Sequence, residues 1–237
     1  KELAEAYQQL AEQEYARREF LTTIAHELRT PLMAANGFMQ IARTGMLQGE
    51  GLKSALETVS RNLQEISALV NDILFLQEMD LILPEFQAVD LGAVVTAAVE
   101  PVRGRADQAG TPLSLNIAPG LPAVRADEKS LTRAISAVLD NAIKFSPEGG
   151  EVKIEVGRKG GRLFVKIDDH GVGIEPKLME RIFERFFHTD EIRGYLFRGI
   201  GLGLSIARQV IEAHKGEITV SSQLGSGTSV VISLPGA

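Results

Sequence analysis

Three residues near the start of the chain have types and a spacing that suit nucleophilic chemistry. His26 stands beside Glu27, Thr30 follows four residues after His26, and Pro31 comes directly after. On a helix, residues four apart lie on one face, so His26 and Thr30 would be neighbours. An adjacent carboxylate can hold the proton on one imidazole nitrogen while the lone pair of the other attacks. A lone helical histidine is more often simply solvated, so the interpretation depends on the rest of the chain.

Four further motifs punctuate the second part of the chain, at residues 139–145, 169–173, 199–203 and 225–228. In the first, Asn141 offers an amide oxygen that suits Mg²⁺, and Lys144 offers a cation for phosphate. In the second, Asp169 follows an apolar strand and can accept a hydrogen bond from the amino group of a base. The third precedes a helix, whose free backbone amides can bind phosphate oxygens. Taken singly, each motif is also an ordinary helix end, loop or turn.

Long helices must position His26, Glu27 and Thr30. Residues 1–19 consist of strong helix formers and predict a helical connector, either a coiled coil or a frayed, solvated helix. Apolar residues then recur with four-three spacing from Leu21 to Met46, and again from Leu52 to Ile73. Two such helices form a hairpin over residues 20–80, and a hairpin with two apolar stripes favours a dimeric four-helix bundle. Pro31 predicts a bend in the first helix.

An α/β domain must position the four later motifs. Pro84 supports an extended linker over residues 81–89, and residues 90–237 mix helices with alternating strands. We expect helices at 90–109, 127–145 and 203–214, the first two with aspartate caps, and strands that include 113–117 and 151–156. The fold class is therefore α + α/β: a two-helix hairpin followed by an α/β sandwich with helices on one face of a mixed sheet.

Composition excludes several classes of function. The 237 residues include no cysteine, which excludes disulfides and thiolate sites, and the net charge of −6 argues against nucleic-acid binding. No apolar run is long enough to span a bilayer. Because Lys1 already lies in a helical pattern, we expect an upstream sensor region. This portion is expected in the cytoplasm, and a membrane anchor upstream stays open.

Residues 20–32 closely resemble the H box of sensor histidine kinases of two-component systems, in the His-Glu-x-x-Thr/Asn subfamily. The four later motifs, in this order, are similar to the N, G1, G2 and G3 boxes of the ATP-binding domain shared by histidine kinases, gyrase-type ATPases and the large heat-shock chaperones. Residues 181–187 look like the histidine-kinase F box. The resemblance covers about residues 20–45 and nearly all of 85–236.

The resemblance implies specific roles. It makes His26 the phosphorylated residue, Glu27 its general base, and Thr30 the residue that positions water for dephosphorylation of a partner. Asn141 is implied as the Mg²⁺ ligand and Asp169 as the partner of the adenine amino group. The other residues implied in ATP binding are Lys144, Phe145, Gly171, Gly173, Arg185, Gly199, Gly201, Gly203 and Thr228. Residues from about 175 to 198 would form a lid over ATP.

The implied function is ATP-dependent autophosphorylation of His26 in a homodimer, followed by transfer to an aspartate of a separate response-regulator receiver domain. Three departures bear on this. Ala137 stands where many histidine kinases have a second asparagine and where the hydrolysing ATPases have a glutamate. The absence of that glutamate argues against simple ATP hydrolysis. Arg198 replaces a common glycine, and His170 replaces an asparagine and is not expected to be a ligand. His188 and His214 are expected to be surface or packing residues. A degenerate phosphotransfer scaffold and an ATP-hydrolysing machine are the alternatives.

Overall fold

The computed structural model describes residues 2–81, 85–187 and 201–236. The chain divides into two compact units, Lys1–Glu78 and Met79–Ala237, and each is described by itself. None of the described helices is both long and apolar enough to cross a membrane.

Two long helices form the first unit. Helix α1 spans Glu2–Arg43 and helix α2 spans Gly49–Leu81, so the predicted connector and the segment with His26 belong to one helix. The turn between them uses Gly45 at φ 72°, a left-handed conformation that glycine adopts without a steric penalty. Helix α1 continues through Pro31, which is buried. The bend at Pro31 stays a prediction.

The predicted apolar seam of α2 is divided between two surfaces. Val59 is buried, and Ile66 and Ile73 are half-buried, so this side of the helix packs within the hairpin. The alternate seam positions remain exposed in the single chain; they are Leu56, Leu63 and Val70, spaced seven residues apart. The predicted seam of the first helix has a matching exposed set in Leu32 and Met39 on α1 and Met46 in the turn that follows, and its member Ala25 is exposed as well. One hairpin therefore leaves a heptad-spaced apolar stripe uncovered.

The second unit is a two-layer α/β sandwich, as predicted. Its elements are β1 Gln87–Val89, α3 Leu91–Gln108, β2 Leu113–Ile117, β3 Val124–Ala126, α4 Glu128–Lys144, β4 Val152–Lys159, β5 Arg162–Asp168, a 3-10 turn Pro176–Leu178, α5 Gly203–Ala213, β6 Glu217–Gln223 and β7 Gly227–Pro235. The main sheet has the order β2-β4-β5-β7-β6, with β2 and β4 parallel and the other neighbours antiparallel. Strands β1 and β3 form a separate antiparallel ribbon, and β1 lies within residues 81–89, the segment predicted as an extended linker.

The core lies between one face of this sheet and the helices α3, α4 and α5. Strand β5 alternates in burial, with Leu163, Val165 and Ile167 inside, and strands β4 and β7 do the same. Both predicted aspartate caps are confirmed. Asp90 accepts from the amide of Gly92 at 2.8 Å at the start of α3, and Asp127 accepts from the amide of Ser130 at 2.9 Å at the start of α4.

Candidate active site

The histidine of the first unit is accessible. His26 and Thr30 are both exposed on α1, and Glu27 is half-buried. The hydroxyl of Thr30 donates to the backbone carbonyl of His26 at 3.4 Å, so the two residues share one helical face, as predicted. An exposed imidazole with a hydroxyl one turn away can be reached by a second domain or a partner protein.

Asp169 is the fixed acceptor of the second unit. It follows β5, and its Oδ1 accepts hydrogen bonds from the backbone amides of Gly171 at 2.9 Å and Thr228 at 3.1 Å. Both of these bonds end on Oδ1, so among the described residues Oδ2 is left to accept from a ligand. Burial raises the pKa of the Asp169 carboxyl, although these two amides act in the opposite direction.

Glycines let three backbone segments approach one another around Asp169. A Cβ on Gly171 would stand 2.1 Å from the carbonyl oxygen of Phe145, and the amide of Val172 donates to that oxygen at 2.9 Å. Gly173, at φ 70°, lies in the same way against the carbonyl of Gln223. The second motif is thus held between the end of α4 and the β6–β7 turn, and no side chain fits at either glycine.

Ser222 connects the same segments, and it belongs to none of the motifs found in the sequence. Its hydroxyl oxygen accepts from the amide of Ile174 at 2.8 Å and lies 2.8 Å from the carbonyl of Gly227, to which it can donate. The hydroxyl of Thr228 lies 2.9 Å from the same oxygen and can supply the remaining proton. Thr228, a predicted nucleotide ligand, therefore holds Asp169 through its amide and Ser222 through its hydroxyl.

The carboxyl end of α4 forms the next part of the site. Asn141 and Lys144 lie in its last turn, and the ammonium of Lys144 stands 4.6 Å from the ring centroid of Phe145. The position of a Cβ on Gly203 is 3.9 Å from the side-chain nitrogen of Asn141 and 3.6 Å from the Cβ of Ala137. The first and third motifs are therefore neighbours, and the start of α5 lies beside Asn141.

The third motif also contacts the aromatic segment before it. The amide of Phe186 donates to the carbonyl of Gly201 at 2.9 Å, and a Cβ on Gly201 would clash with the Phe186–Phe187 backbone at 2.7 Å. Phe186 has a φ of 61°, which is uncommon for a bulky residue. The guanidinium of Arg185 donates to the side chain of Gln209 on α5 at 3.1 Å. Gly199, Arg198 and His188 lie outside the described residues.

These contacts form one continuous chain: Gly203 beside Asn141, Phe145 beside Gly171, and Asp169 beside Thr228. The described residues contain no group of three or more histidine, cysteine or acidic side chains able to hold a metal. A Mg²⁺ ion that accompanies a nucleotide keeps several waters and binds phosphate, so it would need few protein ligands, and the Asn141 amide oxygen would be one of suitable chemistry. His170 is exposed with Nδ1 2.9 Å from the carbonyl of Glu151, and His214 is buried inside the domain, so of the two expected places, surface or packed interior, it occupies the interior.

Two families match the chain. Residues 16–81 match the His Kinase A (phospho-acceptor) domain, and residues 126–237 match the histidine kinase-, DNA gyrase B-, and HSP90-like ATPase. The sensor-like histidine kinase SenX3 of Mycolicibacterium smegmatis is 30% identical over 95% of this chain and 59% of its own length.

Two solved structures extend the likeness. The mycobacterial sensor histidine kinase MprB is 34% identical with a TM-score of 0.55, over 64% of this chain and 98% of that one. Full-length ShkA in complex with AMPPNP is 28% identical with a TM-score of 0.66, over 92% of this chain and 46% of that one. The chain belongs to the sensor histidine kinases of two-component systems, with a phospho-acceptor domain followed by an ATP-binding domain. It spans about half the length of SenX3 and ShkA.

Proposed function

We propose that this chain is the catalytic core of a sensor histidine kinase, which phosphorylates His26 with ATP and passes the phosphoryl group to an aspartate of a response-regulator receiver domain. One observation carries the proposal most directly. The contacts from Gly203 through Asn141, Phe145 and Gly171 to Asp169, and from Asp169 to Thr228, gather four separate motifs at one place, in a chain whose other unit exposes His26.

The site has a group for each part of a nucleotide. Oδ2 of Asp169 accepts from the adenine amino group, while Oδ1 stays bound to Gly171 and Thr228. The free backbone amides at the start of α5 would bind the phosphates, and Lys144 would supply a positive charge for them. Asn141 would hold Mg²⁺, which would neutralise phosphate charge. ShkA, a relative with this fold, was solved with AMPPNP, an analogue of ATP.

Phosphoryl transfer to His26 needs little covalent chemistry from the protein. The imidazole lone pair attacks the γ-phosphorus, the bond from phosphorus to the bridging oxygen breaks, and ADP leaves. Glu27 accepts the proton from the other ring nitrogen, which leaves the phosphorylated ring neutral. Thr30, on the same face, positions water when the kinase dephosphorylates its phosphorylated partner.

A second copy of the chain covers the heptad-spaced stripe of the hairpin. Leu56 and Leu63 on α2, with Leu32 and Met39 on α1, are apolar residues between 40% and 50% exposed in the single chain. Packing these stripes together gives a four-helix bundle in which His26 and Thr30 remain outside. The exposed surface around His26 is then the docking surface for the receiver domain. We place this portion in the cytoplasm, where ATP is available, with a sensor region upstream.

Incubation with γ-labelled ATP and Mg²⁺ tests the proposal. The wild-type chain should acquire label that is acid-labile and stable in alkali, as expected of a phosphorus–nitrogen bond. The His26→Gln variant should bind ADP with unchanged affinity and take up no label. Label that persists in His26→Gln would overturn the proposal. A wild-type chain that binds ADP and never acquires label would favour the phosphotransfer scaffold instead.

A further inference from the structure

His214 is a buried histidine that joins two helices of the ATP-binding domain. It directly follows α5 and is 4% exposed. Its Nδ1 lies 2.8 Å from the carbonyl of Val210, and its Nε2 lies 3.0 Å from the backbone nitrogen of Asp127, at the start of α4. A carbonyl only accepts and a backbone amide only donates, so Nδ1 must carry the proton and Nε2 the lone pair. The contacts define a neutral ring in a single tautomer.

Asp127 extends this connection to the segment that enters the domain. Its Oδ1 caps α4, and its Oδ2 accepts from the amide of Glu85 at 3.1 Å. Burial raises the pKa of the Asp127 carboxyl, the hydrogen bonds from Ser130 and Glu85 act in the opposite direction, and the net effect is a lowered pKa. The carboxylate is therefore charged at neutral pH and can hold both amides at once.

The entering segment is fixed at the same point by packing. The ring of Phe86 meets the ring of His214 edge-on, with centroids 4.9 Å apart and an interplanar angle of 66°. Directly afterwards, strand β1 pairs with β3, in the register Gln87 to Ala126. We call the four residues Glu85, Phe86, Asp127 and His214 the linker clasp.

We infer that the linker clasp is a positioning device for autophosphorylation, an inference that rests on the proposed kinase function. It binds the entering chain where α4 begins and α5 ends. The opposite ends of the same two helices contribute Asn141 and Gly203 to the proposed ATP site. A change at the clasp would therefore alter the direction in which the tethered domain presents ATP. Orientation matters because a misplacement of about 1 Å between reacting groups can cost on the order of 100-fold in rate. His214 and Asp127 are positioning residues and touch no substrate.

Two substitutions of His214 separate its two hydrogen bonds. Asparagine places an amide nitrogen near the position of Nδ1, so it keeps the bond to Val210, but it is too short to reach Asp127. Glutamine places its amide oxygen near the position of Nε2, where it can accept from the Asp127 amide. In the full chain, His214→Asn should lower the rate of His26 labelling at saturating ATP by about tenfold or more, and His214→Gln should restore most of it. The dissociation constant for ADP should be unchanged in both.

Asp127→Asn provides a second measurement that leaves the buried ring in place. Asparagine caps helices as well as aspartate does, so its side-chain oxygen can still accept from the amide of Ser130. Its amide nitrogen then takes the place of Oδ2, and a nitrogen that carries hydrogens cannot accept from the amide of Glu85. The labelling rate of this variant should fall while ADP affinity and the thermal midpoint stay near the wild-type values.

The possible outcomes distinguish the two proposals. A wild-type chain that never labels His26 defeats the proposed kinase function. If the wild-type chain labels His26 and the His214→Asn and Asp127→Asn variants label it equally fast, the inferred role of the linker clasp is overturned. A His214→Asn variant whose ADP affinity falls in parallel with its rate overturns it too, because that result indicates general damage to the site.

Discussion

Oδ1 of Asp169 accepts a hydrogen bond of 3.1 Å from the backbone amide of Thr228, and the backbone amide of Asp169 donates to the carbonyl of Thr228 at 2.9 Å. The two residues thus bind each other in both directions, where β5 ends and β7 begins. The reciprocal pair fixes the carboxylate on the sheet, so its orientation is set before a nucleotide arrives. Such pre-orientation lowers the entropy that binding must otherwise overcome.

Asp169 should make nucleotide affinity depend on pH in the acidic range. Because burial raises its pKa, the carboxyl stays protonated up to a higher pH than an ordinary aspartate. A protonated carboxyl is a poorer acceptor for an amino group, so ADP affinity should rise with pH through the raised pKa and then level off. Titration calorimetry with ADP between about pH 4.5 and pH 7.5 measures this profile.

The Asp169→Asn variant is the control for that profile. It should bind ADP about tenfold or more weakly at neutral pH, because a hydrogen bond to a charged group contributes about 1.5–3 kcal/mol. The nucleotide phosphates titrate alike with both proteins, so the difference between the two curves isolates Asp169. In the absence of nucleotide, ionisation of Asp169 has the opposite effect, this time on folding stability. Because its pKa is raised in the folded state, the protein loses stability as the pH rises and Asp169 ionises. The variant should therefore be at least as stable as the wild type at neutral pH. Parallel affinity curves would contradict the assignment.

Gly171→Ala should damage the site and the fold together. The new Cβ would stand 2.1 Å from the carbonyl oxygen of Phe145, which is backbone and cannot move aside cheaply. Overpacking of this kind costs about 1–3 kcal/mol. Chemical denaturation should report that loss, and ADP binding should weaken because Asp169 and the end of α4 are forced apart.

Gly104→Ala is the matched control for Gly171→Ala. Gly104 lies within α3, and a Cβ there would meet nothing within 4 Å. Alanine should therefore stabilise the protein, by about 0.5–1 kcal/mol, and leave ADP binding unchanged. Equal effects of the two substitutions on stability would argue against the close approach of Gly171 to Phe145.

Ser222→Ala should weaken nucleotide binding although Ser222 is not in any motif. The change removes the acceptor for the amide of Ile174 and a partner of the Thr228 hydroxyl. Leaving a buried donor unpaired costs about 1–3 kcal/mol. Ser221→Ala is the control because Ser221 is exposed and lies on the opposite face of β6. Denaturation and ADP titration should show a loss for Ser222→Ala alone; a loss of equal size in Ser221→Ala would defeat the assignment.

Sequence patterns predicted the elements whose structure is determined by local periodicity and capping. The predicted helix at 127–145 is α4, Glu128–Lys144, and its aspartate cap was visible because capping requires only a short polar residue before an amphipathic run. The predicted strand at 113–117 is β2 with the same bounds. The class of ATP-binding domain also followed from the order of its motifs.

Features that depend on distant contacts could not be predicted in this way. Strands β1 and β3 have three residues each, too few to show alternation, and they are defined only by pairing with each other. Ser222 and His214 gain their importance from partners far along the chain, and nothing in their immediate neighbours indicates it. The apolar seam of α2 was found, but its division into a covered and an exposed stripe depends on how the two helices pack.

The exposed stripe gives the last prediction. Leu63, 50% exposed in the single chain, lies at the centre of the set Leu56, Leu63 and Val70. In a dimer Leu63→Glu would place a carboxylate in an apolar interface twice, once from each chain, and burying an unpaired charge is costly. Light scattering coupled to gel filtration should show a dimer for the wild type and a monomer for Leu63→Glu at micromolar concentration.

Gln64→Glu adds the same charge at the neighbouring exposed position and should leave the dimer intact. The Leu63→Glu chain should keep its helix content by circular dichroism, because Ala55, Val59 and Leu69 are buried within a single hairpin and do not depend on a second copy. Its ADP affinity should also be unchanged, since all residues of the proposed nucleotide site lie in the other unit. A Leu63→Glu protein that still runs as a dimer would place the interface on another surface of the chain.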